Sequence, residues 1–597
     1  MSGYVVMCRL DGGAVSSEDL APLAAPLRAR GPDATDVWRS HSVGVASTLL
    51  DSGDARLRPR VTRVTRHLVA GQVRLDGRAE LVARLLGAGS PASDGDADVV
   101  LFARAWEAWG PRALTHLLGD FSAVIVDEAT GECALVRDPF GVRMLFYSAT
   151  RECIVASNTL AAVLAAPGVS RALDDDALAD FIAVGLNENL AGTTYRDVRR
   201  VPPGHCLRLV PGRAAEVSRY WNLPEVEPAP ARADHAERFL AALRESVADR
   251  CRADSVTVLM SGGLDSTSLA ALARRAMPAS SRITALTLDF PTMAPSPDAA
   301  HARLVATHCG LAHADFNGDA FGYGEGLDGA PYHTPEPYDE PDMAMWRALL
   351  TTASASSRVL LYGEDPDALL APPDLHEQLR AQPAWRVGWQ ILSFVVRERS
   401  RPHLGLRDSL RRARKQRRGI AGDDAGPVWL RKDLLERRAE RLSCRTPATH
   451  PTRAEVARRL AYPLWQTLLE SLDAGQHGIP VDIRLPYLDR RVVESALAAP
   501  AIPWLQRKRL LREAMRGILP DVVRLAPKRG LDGLIEARVA RWWSRGPRPF
   551  EPSERLRELV RVGALPDVTP ASAPLDVLAH LRLRILDRWL RTEACES

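Results

Sequence analysis

The chain has 597 residues, 46% of them hydrophobic and 25% charged, with a formal net charge of +4. That length points to two or more domains, and so small a charge argues against a protein built to coat nucleic acid. No uninterrupted apolar stretch reaches the roughly 18–20 residues that span a bilayer. The start of the chain lacks a basic stretch followed by an apolar run, so a cytoplasmic location and no membrane partner are expected.

The first third reads as short strands joined by polar turns: 3–10, 67–73, 121–127, 133–137 and 145–147, with a helix expected over 97–109. This is an α+β pattern with mostly antiparallel pairing. The stretch 223–231 (LPEVEPAPA) reads as a linker. Beyond it the order changes to a helix over 234–249, an apolar strand over 256–260, a glycine loop, a helix over 266–276 and a strand over 283–290. Strand–loop–helix–strand in this order indicates a parallel βαβ unit. From about residue 371 onward the pattern is mainly helical, interrupted by the basic stretch 397–418 (RERSRPHLGLRDSLRRARKQRR). That stretch reads either as a solvated face or as a contact surface for an acidic or peptidic partner. The eight cysteines form no CxxC pair and no zinc spacing, the pattern of free thiols.

The chemistry concentrates in the glycine loop, Ser261, Gly262, Gly263, Leu264, Asp265 and Ser266. Two glycines let a backbone approach an anion closely. The N–H groups that open the following helix favour phosphate oxygens. The Ser261 and Ser266 hydroxyls add donors, and Asp265 is a hard oxygen ligand suited to Mg2+. A second apolar strand, 359–362, runs into Gly363, Glu364, Asp365, Pro366 and Asp367. Parallel strands end at one sheet edge, where ligands bind, so Asp265 and Asp367 can share a metal.

These motifs resemble the asparagine synthetase B family, which includes β-lactam synthetase and the lasso-peptide macrolactam synthetases. SGGLDS resembles the pyrophosphate loop of ATP pyrophosphatases, and the GEDPD turn resembles a GEGSDE-like stretch, from which it departs at Asp365, Pro366 and Ala368. The resemblance implies ATP and Mg2+ as cofactors, Asp265 and Asp367 as metal ligands, and Glu364 as a catalytic group. It also implies that Leu288, late in the second strand, and Gly363 help bind the nucleotide. The stretch 483–489 (IRLPYLD) is similar to a family RxPFLD segment of mostly structural role. Arg524 to Lys528 matches a family RxxxK turn, which makes Lys528 catalytic by charge stabilisation. The chain has only four lysines, Lys415, Lys432, Lys508 and Lys528. Of these, Lys508 reads as structural.

The first 222 residues resemble the family's glutaminase domain through 30–33 (RGPD), 119–121 (GDF), 138–143 (DPFGVR), 201–204 (VPPG) and 219–221 (RYW). The implied fold is a glutaminase-like (Ntn-type) α+β sandwich over 1–222. An α/β ATP-pyrophosphatase-type (adenine nucleotide α-hydrolase-like) domain with a parallel sheet and a helical C-terminal part follows over 232–597. A working glutaminase uses a cysteine exposed after methionine removal; here position 2 is Ser2, and Cys8 lies inside the first strand. The glutamine-binding arginine and asparagine fall at Ala46 and Ala70. The first domain is therefore expected to be inactive, and the attacking amine to come from the substrate.

A large basic insertion between residues 371 and 460, which makes the chain longer than β-lactam synthetase, and stretches 334–342 (TPEPYDEPD) and 427–430 (PVWL) resemble the lasso-type cyclases, which implies a peptide substrate with a leader peptidase and a leader-binding protein as partners. Ammonia-dependent asparagine synthesis, a small-molecule cyclase of β-lactam synthetase type, and a silent nucleotide- or peptide-binding regulator stay open as alternatives.

Overall fold

The computed structural model describes every residue except 1, 227–233, 326–333, 365, 406–425, 446–449, 529, 547–548 and 597. Asp365, most of the expected linker, and residues 406–418 of the basic stretch thus lie outside the described residues.

The N-terminal part stacks two six-stranded antiparallel sheets. In one, Gly3–Arg9 pairs with Val43–Leu49 and Cys153–Ser157. In the other, His67–Asp76, Leu118–Asp127 and Cys133–Arg137 lie side by side. Period-two side chains explain the stacking. Tyr4, Val6 and Cys8 from the first sheet meet Leu68, Val124 and Leu135 from the second in one core. The opposite face of the first sheet packs on Ser17–Ala24 through Val5 and Met7 against Leu20 and Leu23. The outer face of the second packs on Asp98–Trp109 through Val69 and Phe121 against Phe102. The result is the expected sandwich flanked by helices.

The C-terminal part is built on a five-stranded parallel sheet in the order Ala312–Asn317, Arg282–Asp289, Ser255–Leu259, Val359–Leu361, Asp482–Arg484. Helices Leu264–Ala276 and Asp298–Cys309 provide two of its crossovers. Ser255–Leu259 is central, and its three middle residues, Val256, Thr257 and Val258, are buried, as a strand covered on both faces requires. From Leu375 onward helices dominate.

Charged side chains join the two parts. Arg250, 1% exposed, donates to Asp76 (2.9 Å) and Asp120 (3.3 Å) of the first part and to Asp489 (2.9 Å) of the second. Arg143 pairs with Asp482 at 2.9 Å. Arg30 reaches Asp473 through both terminal guanidinium nitrogens. The GDF and IRLPYLD stretches are thereby interface elements.

Among the described residues no helix is long and apolar enough to cross a membrane.

Candidate active site

The loop 261–266 leaves the end of Ser255–Leu259 and turns directly into Leu264–Ala276. Gly262 has φ +85°, and a Cβ there would meet the Asp298 carbonyl oxygen at 1.8 Å. Only glycine fits, on both counts. Gly263 differs: its nearest neighbour to an added Cβ is the Ser261 hydroxyl, at 3.5 Å, so the space above it is open. The Ser261 and Ser266 hydroxyls lie 3.1 Å apart, and Ser266 also accepts from the Ser261 N–H. Gly263, the N-cap, supplies no side chain to the first helical turn, which leaves its donors for an incoming anion.

Val359–Leu361 lies beside Ser255–Leu259, and its end delivers Gly363 against Ser266, with 3.5 Å from an added Cβ to the Ser266 N and Cα. Asp367 opens the short helix Pro366–Leu369. Between the two acidic turns sits Lys508, whose Nζ is 2.5 Å from Asp265 Oδ2 and 2.7 Å from Asp367 Oδ1. Lys528 Nζ lies 2.7 Å from Asp367 Oδ2. The sequence reading takes Lys508 as structural; the structure places it between the two acids, where it ties the pair together. It sits in a left-handed turn, φ +56°, just ahead of helix Arg509–Ala514.

Electrostatics separates the two acids. Burial raises the Asp265 carboxyl above its ordinary value, and Lys508 only partly offsets this. Asp367 is more open; burial is outweighed there by the two lysines, which lower it. Burial also raises Glu364, against the Tyr362 hydroxyl and the charge of Arg459. Tyr487 of the IRLPYLD stretch holds the Asp265 carbonyl with its hydroxyl at 3.1 Å.

The arrangement suits a cation. Asp265 Oδ1 is buried and receives no hydrogen bond. Among the described residues no cluster of three or more His, Cys, Asp or Glu forms a closed cage. Two carboxylates plus oxygens from substrate phosphates are the ligands Mg2+ commonly takes. Leu288 is half-buried beside Phe290, Ala294 and Met345, two residues beyond the rung that pairs Leu286 with Leu259.

The stretch 334–342 runs alongside. Glu336 accepts from the Thr194 N–H (2.6 Å) and hydroxyl (2.9 Å) and pairs with Arg200, which also binds Glu470 at 2.8 Å. Tyr195 donates to the Pro335 carbonyl at 3.2 Å. Arg582 pairs with Asp339 at 2.6 Å, and Arg538 pairs with Asp342. Tyr338 and Glu340 lie close enough to Tyr362 to perturb it. Residues of both parts thus hold this strap near Tyr362: Thr194, Tyr195 and Arg200 from the first, Arg538 and Arg582 from the second.

At the expected glutaminase site the partners of Ser2 are a backbone N–H and a side-chain amide. The Ser2 hydroxyl accepts from the Leu50 N–H at 3.1 Å. Asn158 donates to the Ser2 carbonyl (2.9 Å) and to Gln72 (3.0 Å). Ala46 and Ala70 are fully buried in the apolar layers. Cys8 is buried too; a hydrogen bond with Cys133 and burial push its thiol well above the ordinary range, the opposite of an activated nucleophile.

An anion-binding loop at the edge of a parallel sheet, faced by a carboxylate pair and two lysines behind an Ntn-type sandwich, defines an ATP-dependent amide-bond-forming ligase. The chain belongs to the asparagine synthase family, which it matches over residues 238–549. Residues 1–221 match the glutamine amidotransferase domain. A protein of Mycobacterium tuberculosis that carries the name of a glutamine-hydrolysing asparagine synthetase is 28% identical over 455 residues, 71% of this chain and 68% of that one. Asparagine synthetase (glutamine-hydrolyzing) 3 of Bacillus subtilis is 24% identical over 166 residues, 28% of this chain and 27% of that one. The solved glutamine phosphoribosylpyrophosphate amidotransferase of B. subtilis, complexed with ADP and GMP, aligns over 52% of this chain and 80% of its own at 13% identity and TM-score 0.27.

Proposed function

We propose that this ligase closes a macrolactam in a ribosomal lasso peptide. The side-chain carboxylate of a peptide Asp or Glu attacks the α-phosphorus of ATP; the bond to the β-phosphate breaks and pyrophosphate leaves. The peptide's N-terminal amine then attacks the acyl carbon, and AMP departs with the carboxylate oxygen. The observation that carries the reading is the Asp265–Lys508–Asp367 bridge beside an uncapped helix N-terminus. It is joined by the apolar residues at positions 46 and 70, which leave no expected source of glutamine-derived ammonia.

Asp265 and Asp367 would hold Mg2+, which neutralises phosphate charge when bound. Ser261, Ser266 and the N–H groups after Gly263 bind phosphate oxygens. Lys508 and Lys528 stabilise the negative charge that develops on the α-phosphate and on the tetrahedral acyl centre. Glu364, raised by burial, is suited to take the proton that the attacking amine loses. Leu288 and Gly363 border the nucleotide. A leader peptidase and a leader-binding protein would supply the free amine.

The test is a core peptide incubated with Mg-ATP, read by mass spectrometry and nucleotide analysis. A product lighter by one water, with AMP and pyrophosphate, is expected; ADP and phosphate would rule out adenylation. Family membership favours a second reading, ammonia-dependent asparagine synthesis. Turnover of free aspartate with ammonium, and none with peptide, would establish it.

A further inference from the structure

The helix Ala384–Glu398 has two apolar sides. The inner one is Val387, buried, with Ile391 and Phe394 half-buried. The outer one is Trp385, Trp389, Leu392 and Val396, at the i, i+4, i+7, i+11 spacing of a single stripe. These four are 71%, 66%, 55% and 68% exposed. One apolar side is enough to seat a helix on its own protein. A second, with two tryptophans in water, is what a partner surface looks like.

The polar flank of the stripe carries Arg386 and Arg397, and the chain continues with exposed Arg399 and Arg401. Arg386 lies over the Trp385 ring at 5.7 Å. The only acid of the helix, Glu398, is turned away into an ion pair with Arg509. Charge therefore borders the stripe on one side and has one sign. Cations along one flank match a linear acidic segment lying beside an apolar ridge; an anionic bilayer is the competing occupant that the test separates.

The stripe is also tied to the candidate active site. Arg509, the partner of Glu398, directly follows Lys508. Past the helix, the His403 N–H donates to Gln506 Oε1 at 2.8 Å, and Gln506 returns a bond to the His403 carbonyl at 3.3 Å. Two fastenings thus bracket the turn that presents Lys508 to Asp265 and Asp367.

We propose that this stripe docks the part of the peptide substrate remote from the reacting carboxylate, a segment with apolar side chains on one face and acidic ones beside them. Docking there holds the substrate at a fixed distance from Lys508 and raises its local concentration at the site. The proposal rests on the peptide reading above, but its test measures binding without turnover, so failure of cyclisation and failure of docking are separate results.

The probes are a synthetic amphipathic peptide with leucine on one face and glutamate on the other, its leucine/lysine counterpart, and phosphatidylglycerol vesicles. Fluorescence anisotropy with the full chain should show the glutamate peptide bound and the lysine peptide not. W385S/W389S/L392S/V396S should bind the glutamate peptide at least about tenfold more weakly. R386E/R397E should lose it and gain the lysine peptide, a change that misfolding cannot produce. Equal binding by wild type and the serine variant overturns the proposal, as does stripe-dependent binding of vesicles in place of peptide. Self-association that disappears in the serine variant also overturns it, since the occupant would then be a second copy of the chain.

Discussion

The Lys508 ammonium lies 2.5 Å from Asp265 although 243 positions separate the two residues, and the same nitrogen is 2.7 Å from Asp367. It lies between the two carboxylates. Lys508→Ala should therefore lower ATP–pyrophosphate exchange by about 10²–10³-fold, the usual cost of losing one transition-state charge partner. A second readout is thermal: Mg2+ should raise the melting temperature of Lys508→Ala more than that of wild type, because the variant leaves both carboxylates without that ammonium. Equal Mg2+ shifts would remove Lys508 from this role.

Gly262 and Gly263 should respond differently to the same substitution. Gly262→Ala places a Cβ on the Asp298 carbonyl at positive φ, and the backbone strain alone costs of order 1–3 kcal/mol. Gly263→Ala meets only the Ser261 hydroxyl, at 3.5 Å, so it should fold normally and lose nucleotide affinity. Denaturant melts and ATP titration of the two variants separate the effects; a normally stable Gly262→Ala would contradict the geometry.

Arg200 holds Glu336 and Glu470, with its own side chain only 6% exposed. Removing it strands two carboxylates, which for a buried pair costs about 3–5 kcal/mol. Arg200→Ala should unfold well below the wild-type temperature. The milder Arg200→Lys should keep the fold and lose kcat as the 334–342 strap loosens beside Tyr362. Unchanged turnover in Arg200→Lys would show that the strap is not a positioning element.

His477 is fully buried next to the Arg30–Asp473 pair, and burial pushes its imidazole from 6.5 down to about 3. It donates to the Leu472 carbonyl and accepts from the Ile479 N–H at 3.1 Å. Its folded value lies below the unfolded one, so the unfolded chain binds the extra proton first. Its contribution is whole above pH 6.5 and is lost progressively as pH falls toward 3. Melting temperature should decline through that window, and less steeply in His477→Asn. A parallel decline in both would assign the acid sensitivity to other groups.

Much of the second half was legible in residues whose chemistry is local. SGGLDS announces a tight turn and an anion site by its own composition, and the strand 359–361 by its apolar run. The helix after the loop begins at Leu264, two residues before the expected start, because Gly263 already caps it. Lys508 was not legible, since its partners come from distant loops and nothing nearby distinguishes it from a helix-flanking lysine. Strand Ala34–Arg39 was missed for a related reason: it is an edge strand, mostly exposed, and lacks apolar alternation. Val43–Leu49, buried along nearly its whole length, lacks alternation for the opposite reason. The stripe on Ala384–Glu398 was not singled out from the sequence, because only the fold shows which of its two apolar sides the described residues bury.

The charge web around Arg250 makes the chain indivisible. Severed at the proline-rich stretch, the second half would expose Arg250 with Asp489 as its single remaining acid, and the first would keep Asp76 and Asp120 around Arg74, with Arg143 3.9 Å from Asp120. Neither fragment inherits a neutral surface. The sandwich thus serves the second half as a counter-ion, and shuffling it for an unrelated module would first require redesigning those acids.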